Sequence, residues 1–260
     1  MSKSARNDWN PNAYSKFRSL RVRPALDLLQ SVPSVGGGKL VDLGCGNGVI
    51  GPALKERFVG HDLIGVDASP AMLDAARSSG CYSDLVEADI SSWSGDAPLG
   101  LIFSNAALHW LPDHEVLLPK LVKQLGKGGT LAVQLPHQNN APSHRVWRSL
   151  MDELFADRFD ENDVPSALKP AQYHGLLAGM GQLSLWETEY YQVLEGEAGS
   201  HPVRRFTEAT YARPFLQALD ADEKAEIIAR YEAVMEKAYP RDTNGRVLFP
   251  FRRLFFTLTA

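Results

Sequence analysis

Through the first half of the chain, short runs of mainly apolar residues alternate with stretches in which apolar positions recur at helical spacing. Leu40–Leu43, Leu63–Val66, Asp84–Glu87, Leu101–Ser104 and Thr130–Gln134 read as strands. Runs without apolar–polar alternation predict strands covered on both faces, and helices between them predict a parallel sheet. A helix is expected over Gly48–Arg57. Another begins at Ser69-Pro70, a hydroxyl N-cap followed by a first-turn proline, and runs to about Arg77. Ahead of the first strand, residues 1–35 form a helical lead-in whose apolar-periodic part runs from Arg23-Pro24 to Leu29, and Gly36-Gly37-Gly38 breaks it.

The second half changes character. Ser143–Phe159 carries Val146, Trp147, Leu150 and Leu154 at amphipathic-helix spacing, while Leu183–Val193 and Arg246–Thr259 read as long strands. Between those strands, Val203–Leu219 and Asp220–Tyr239 read as helices, the second with Asp220 as N-cap and acids in its first turn. The fold expected is α/β, a doubly wound, mostly parallel seven-stranded sheet. Residues 1–260 form one domain, with a helical cap at 199–240 inserted near the C-terminus. Such a cap belongs over the carboxyl end of the sheet, where doubly wound folds bind ligands.

Chemistry first enters at the end of strand one. Asp42-Leu43-Gly44-Cys45-Gly46-Asn47-Gly48 is an acid followed by a glycine turn, and about twenty residues later Asp67 ends the second strand. Glycines let the backbone turn and approach a ligand, and an acid at Asp67 suits the two hydroxyls of a ribose. A dinucleotide fingerprint needs a third glycine that this chain replaces with Val49. Asp42 would repel a pyrophosphate but suits the cationic amino-acid end of S-adenosylmethionine, and the turn resembles the glycine loop of class I methyltransferases.

The rest of a cofactor site can be placed on the same pattern. Asp89 ends the third strand where an acid can accept from an adenine amino group, with Ile90 packing on the ring. Met72 suits either the other adenine face or the core. Asn105-Ala106-Ala107 ends strand four, where its backbone would approach the methionine part. The cofactor-binding candidates are therefore Asp42, Gly44, Cys45, Gly46, Asp67, Ala68, Met72, Asp89, Ile90 and Asn105.

His109 and Trp110 follow strand four directly and can face the reacting centre. A carboxylate acceptor is already ionised at pH 7, so it needs positioning rather than a base. Arginine, with its planar fork, is the side chain suited to holding it. Arg204, Arg205, Arg213, Arg252 and Arg253 are available in the C-terminal half, with Arg213 the leading candidate beside His109. Tyr190 and Tyr191 point to opposite faces of a strand, so at most one serves a pocket.

Composition narrows the class. A formal charge of −4 and a pI near 6.0 argue against a nucleic-acid partner. No apolar run reaches the roughly 18 residues a bilayer requires, and the first residues lack the apolar core of a signal peptide. Two cysteines, one inside the glycine turn, fit a reduced, cytoplasmic setting without a cysteine metal site. A monomer or small homo-oligomer is expected.

Beyond the loop, Asp8-Trp9-Asn10-Pro11 with Tyr14, Asp67-Ala68-Ser69-Pro70-Ala71-Met72-Leu73 and Glu87-Ala88-Asp89-Ile90 are similar to segments of the trans-aconitate 2-methyltransferases. So are Asn105–His114, Val133–Pro136, Trp186–Tyr191 and Arg246–Arg252, so the resemblance spans nearly the whole chain. It implies transfer of a methyl group from S-adenosylmethionine to one carboxylate of trans-aconitate, giving a monomethyl ester and S-adenosylhomocysteine. The chain departs from the family inside the cap, where Ala209 stands for a glycine and Ala212 for a leucine, while Arg213-Pro214-Phe215 are kept. Another small acid or an amine as acceptor is the nearest alternative, a non-catalytic S-adenosylmethionine-binding protein the next, and a nicotinamide dehydrogenase the most remote.

Overall fold

In a computed structural model the structure describes residues 18–33, 35–96, 98–158, 167–197 and 199–260. The Asp8–Pro11 and Tyr14 motif, and the first half of the lead-in, lie outside the described residues. Helix α1 (Arg18–Ser31) precedes β1 (Lys39–Leu43), α2 (Gly51–Arg57), β2 (Leu63–Asp67), α3 (Pro70–Arg77), β3 (Asp84–Glu87) and β4 (Leu99–Asn105). A short 3₁₀ turn (Leu108–Trp110) leads to α4 (His114–Val122), β5 (Leu125–Pro136) and α5 (Pro142–Leu154). Then come α6 (Pro170–Leu177), β6 (Gln182–Leu194), α7 (Pro202–Glu208), α8 (Arg213–Gln217), α9 (Ala221–Ala238) and β7 (Val247–Thr259).

Seven strands form one sheet in the order β3-β2-β1-β4-β5-β7-β6, the architecture expected from the sequence. The pairs β3–β2, β2–β1, β1–β4 and β4–β5 are parallel. Register aligns their carboxyl ends: Leu43 faces Val66, Asp67 faces Glu87, and Asn105 faces Gln134. The turns after these strands therefore emerge together. Residues Leu40 to Leu43 and Leu99 to Ser104 are all buried, which explains the absence of apolar–polar alternation in their sequence.

Contacts divide the chain into two compact units. Of the described residues, those up to Leu135, with Leu168–Glu187 and Leu254–Ala260, form unit 1, while Pro136–Ala167 and Thr188–Arg253 form unit 2. In unit 1, α3 packs on β2 and β3, and α4 on α6. A buried histidine fixes the latter pair. His114 Nε2 lies 2.9 Å from the Leu108 carbonyl, which can only accept, so the hydrogen is on Nε2. Nδ1 then accepts the Tyr173 hydroxyl at 2.7 Å, and that hydroxyl accepts Leu168 N–H at 3.3 Å.

Unit 2 is built around α9, which packs on α5 and α7. Trp147, fully buried, stacks on Tyr231 at 4.0 Å and 18°, and its indole N–H donates to Thr207 Oγ1 at 3.0 Å. The Tyr231 hydroxyl donates to the Ser143 carbonyl at 2.8 Å. Asp220 caps α9 by accepting from Asp222 and Glu223 N–H, and Glu223 accepts in return from Asp220 N–H.

Three helix boundaries differ from the sequence expectation. Helix α2 begins at Gly51, because Gly48 is left-handed at φ +73° and Pro52 suits the first turn. Helix α5 ends at Leu154, where Phe155 leaves helical geometry. The single helix expected over Val203–Leu219 is two, α7 and α8. Thr207 and Thr210 hydroxyls bond carbonyls of the preceding turn, and Ala212 N–H reaches back to Thr207 O, closing a tight turn instead of extending the helix. Among the described residues no helix is long and apolar enough to cross a membrane.

Candidate functional site

The glycine turn after β1 is tied to the end of β2 by its own backbone. Gly44 and Cys45 N–H both donate to Val66 O, at 2.8 and 3.0 Å. Gly46 N–H donates to Asp67 Oδ2 at 2.8 Å, and Ser69 N–H to Asp67 Oδ1 at 2.9 Å. Asp67 thus locks two turns together, and a carboxylate has lone pairs left for ligand hydroxyls.

The glycines do different work. A Cβ on Gly44 (φ +78°) would overlap the Ala107 Cβ and touch Ile90 Cδ1, so this glycine lets the turn after β4 close against the first turn. Gly46 (φ +54°) has no atom within 4 Å of where its Cβ would stand, so its face is open to a ligand. Gly48, Gly51 and Gly65 make room for an aromatic ring: a Cβ on any of them would meet Tyr82 at 3.0 Å or less.

Tyr82 was not singled out from the sequence. Its hydroxyl donates to Asp42 Oδ2 at 2.7 Å. Asp42 is 1 % exposed, and burial, with the nearby Asp67 charge, raises its pKa to about 7 against the lowering effect of the Tyr82 bond. Burial and the neighbouring Asp42 and Asp67 also push the Cys45 thiol up, keeping it protonated, and both Cys45 and Cys81 are free. The signal for Tyr82 was present in Gly51 and Gly65, a helix-start and a mid-strand glycine that no turn requires.

At the remaining strand ends, Asp89 is exposed and accepts Ser91 N–H at 2.8 Å and Ser91 Oγ at 2.7 Å, while Ile90 is buried. Ala68 is exposed and Met72 is buried on α3, its N–H capped by Ser69. Asn105 Oδ1 is buried with no hydrogen-bond partner among the described residues. An orphaned buried acceptor costs about 1–3 kcal/mol, which a polar ligand group would recover. Next to it Ala106 is held at φ +54°, a conformation alanine rarely adopts, with its N–H bonded to Gln134 O at 2.8 Å. His109 follows in the 3₁₀ turn, half-buried, its ring 5.2 Å from that of Trp110.

Unit 1 therefore gathers the glycine turn, Asp67, Asp89 and Asn105 at one end of its parallel strands. In unit 2 the arginine candidates separate. Arg204 pairs with Glu208 and, at 2.9 Å, with Glu232; Arg205 pairs with Glu197; Arg252 lies 3.6 Å from Glu189. These three are committed to carboxylates of the protein itself. Arg213 opens α8 and is half-buried, and Arg253 is buried with its guanidinium 4.3 Å over the Phe251 ring. Tyr190 is buried and Tyr191 64 % exposed, on opposite faces of β6 as the strand period requires.

Residues 40–129 match the family model described as a methyltransferase domain. The chain is 41 % identical over 248 residues to a trans-aconitate 2-methyltransferase of Azoarcus sp., covering 95 % of this chain and 97 % of that one. It is 38 % identical over 250 residues to the trans-aconitate 2-methyltransferase of Escherichia coli, covering 96 % and 97 %. Among solved structures, the YcgJ protein of Bacillus subtilis shares the fold with a TM-score of 0.59 at 14 % identity, over 92 % of this chain and 98 % of that one. With strand order, glycine turn and near-full-length identity in agreement, the chain belongs to the trans-aconitate 2-methyltransferase family.

Proposed function

We propose that the protein methylates one carboxylate of trans-aconitate, or of a closely similar small polycarboxylate, using S-adenosylmethionine. The observation that carries this reading is the 41 % identity to a trans-aconitate 2-methyltransferase over 95 % of the chain. The site's residues fit the cofactor. The open face of Gly46 admits a ligand against the turn, Asp67 suits a ribose, Asp89 and Ile90 suit an adenine, and Asn105 Oδ1 is an acceptor in search of a donor. Cys45, Ala68, Met72 and Gly44 complete the set. Asp42 is assigned to it through the turn it supports, since the residue presents almost no surface of its own.

When bound, S-adenosylmethionine supplies a methyl group activated by a sulfonium charge. The protein's share is to orient a carboxylate oxygen and keep water away. His109 is given an orienting role, because a carboxylate carries no proton to remove at pH 7. Arg213 orients the acceptor, and residues 199–240 form the acceptor-binding cap. Two free thiols support a reducing, cytoplasmic setting.

Turnover with methyl-labelled S-adenosylmethionine against trans-aconitate, cis-aconitate and isocitrate tests the proposal. Base-labile label on trans-aconitate is the expected result; label on none of them, with S-adenosylhomocysteine still bound, would overturn it. His109→Ala separates acceptor classes, with a modest loss of kcat expected for a carboxylate and a severe one for an amine.

A further inference from the structure

The connection between α3 and β3 carries Tyr82, a residue outside the strand ends that gather the other site groups. The next residue anchors it: Ser83 N–H and Oγ both donate to Leu63 O at the start of β2, at 2.8 and 2.9 Å. From that anchor the ring crosses Gly65, the β2 residue that pairs with Asp42 of β1. A Cβ on Gly65 would lie 3.0 Å from Cδ1 of the ring, and one on Gly48 would lie 3.0 Å from Cε2. At Gly51 a Cβ would come within 2.8 Å of the hydroxyl oxygen. Three glycines clear one path, and at its end the hydroxyl donates to Asp42 Oδ2 at 2.7 Å.

Packing alone would be served by a smaller apolar side chain, with alanine at 51 and 65. The glycines instead leave room for a ring long enough to bring a hydroxyl to a buried carboxylate. Such a carboxylate needs a donor, because burial penalises its charge. Burial raises the Asp42 pKa to about 7; the Tyr82 bond opposes that rise and the Asp67 charge adds to it. Burial and the Asp42 charge push the Tyr82 phenol up, so it keeps its proton and donates. Cys45, the other titratable neighbour, is held protonated by burial and by the two acids. Tyr82 is therefore the group that favours the ionised form of Asp42.

We propose that Tyr82 is a positioning residue of the methyl-donor site, acting through the Asp42 carboxylate it bonds and the glycine turn its ring supports. The role rests on the S-adenosylmethionine reading above and deepens it. An ionised Asp42 attracts the ammonium of the ligand's amino-acid end, and a protonated one does not. Affinity then rises as pH increases through about 7, and Tyr82 sets that rise at a lower pH than burial alone would.

Binding of S-adenosylhomocysteine to full-length wild type, Y82F, D42N and the double variant is measured by calorimetry from about pH 6 to about pH 8.5. Phenylalanine keeps the ring and its packing, so the hydroxyl alone is removed. At pH 7 the Kd of Y82F is expected to be about 3- to 10-fold above wild type. Its rise in affinity moves to higher pH, so the gap narrows toward the alkaline end. In D42N the rise is absent, and adding Y82F changes affinity by less than about twofold. Lost packing would instead lower affinity evenly across pH and equally in both backgrounds. A Y82F profile that superimposes on wild type, or a loss as large in D42N as in wild type, would overturn the role and leave the cofactor reading intact. Wild type that binds no S-adenosylhomocysteine at any pH would overturn both.

Discussion

Among the described residues the buried carboxylate, Asp42, belongs to unit 1 and the buried guanidinium, Arg253, to unit 2. In unit 1 the end of β1 and the end of β2 contribute Asp42 and Asp67, one carboxylate sunk beneath the glycine turn and the other bridging Gly46 and Ser69. In unit 2, α5 and β7 contribute Arg148 and Arg253 around a neutral histidine. Burial acts on both in the same way, penalising the charged form, yet it moves the pKa of an acid up and that of a base down. The units differ as well in how their polar groups are tied. Backbone N–H groups do the work around Asp67, whereas aromatic rings and hydroxyls do it around Trp147 and Tyr211.

The largest expected effect is on the interior of unit 2. Trp147→Ala removes a fully buried ring, its stack on Tyr231 and the bond to Thr207, and should destabilise by about 3–5 kcal/mol. Urea unfolding followed by far-UV circular dichroism would show it. A loss below about 1 kcal/mol would mean that unit 2 is not held by this cluster.

Next comes the bridge in unit 1. Asp67→Ala removes an acceptor shared by two backbone N–H groups and the proposed ribose ligand; each charge-assisted bond contributes about 1.5–3 kcal/mol. Affinity for S-adenosylhomocysteine should fall at least about 10-fold by calorimetry, while KM for trans-aconitate, measured at saturating methyl donor, stays close to wild type. Equal losses for both ligands would erase the distinction between the two units.

How much of this could be read from the sequence follows from the range of the interactions. Strands β1, β2, β4 and β5 were legible because burial on both faces leaves apolar runs, and α3 because Ser69-Pro70 is a local cap signal; β3, with exposed ends, was legible from its place in the alternation of strands and helices. Helices α4 and α6 were not, because α4 contains Pro119 and α6 is only eight residues long, so neither shows a sustained period. The Asp42, Gly46 and Asp67 set was legible from spacing. Tyr82 was hidden because its partner is 40 residues away, and of the glycines that receive its ring Gly48 reads as part of the glycine turn. Arg148 was hidden for a similar reason. It looks like one more polar position on an amphipathic helix until Tyr211 is brought beside it by a turn that follows much later in the chain.

A smaller effect separates the acid from the base by pH. The folded-state pKa of Asp42 is raised from 3.8 to about 7, so the folded protein holds that proton more tightly than the unfolded chain, and stability falls as pH rises from about 4 to 7. Asp42→Asn keeps an acceptor for Tyr82 without the charge. Relative to wild type it should therefore gain stability as pH rises through that window, by on the order of 1 kcal/mol or more at pH 7. Urea midpoints measured across that range check the sign, and a constant difference would show that Asp42 does not titrate there.

The smallest expected signal is the absence of one. His144 has its pKa lowered from 6.5 to about 3, so its contribution to stability is present above about pH 6.5 and is lost as pH falls toward 3, opposite in sign to Asp42. In protein labelled at histidine Cε1, the His144 resonance should not move between pH 5 and 8. Burial alone would produce that silence, so the informative comparison is with R148Q. Removing one of the two cations that oppose protonation should raise the His144 pKa, and its resonance should begin to move at a higher pH than in wild type. If His144 titrates near 6.5 in wild type, the cluster is solvated and burial does not hold this imidazole neutral. If it is silent in both proteins at every pH short of unfolding, Arg148 lies too far from the ring to act on it, and the positive field assigned to unit 2 rests on Arg253 alone.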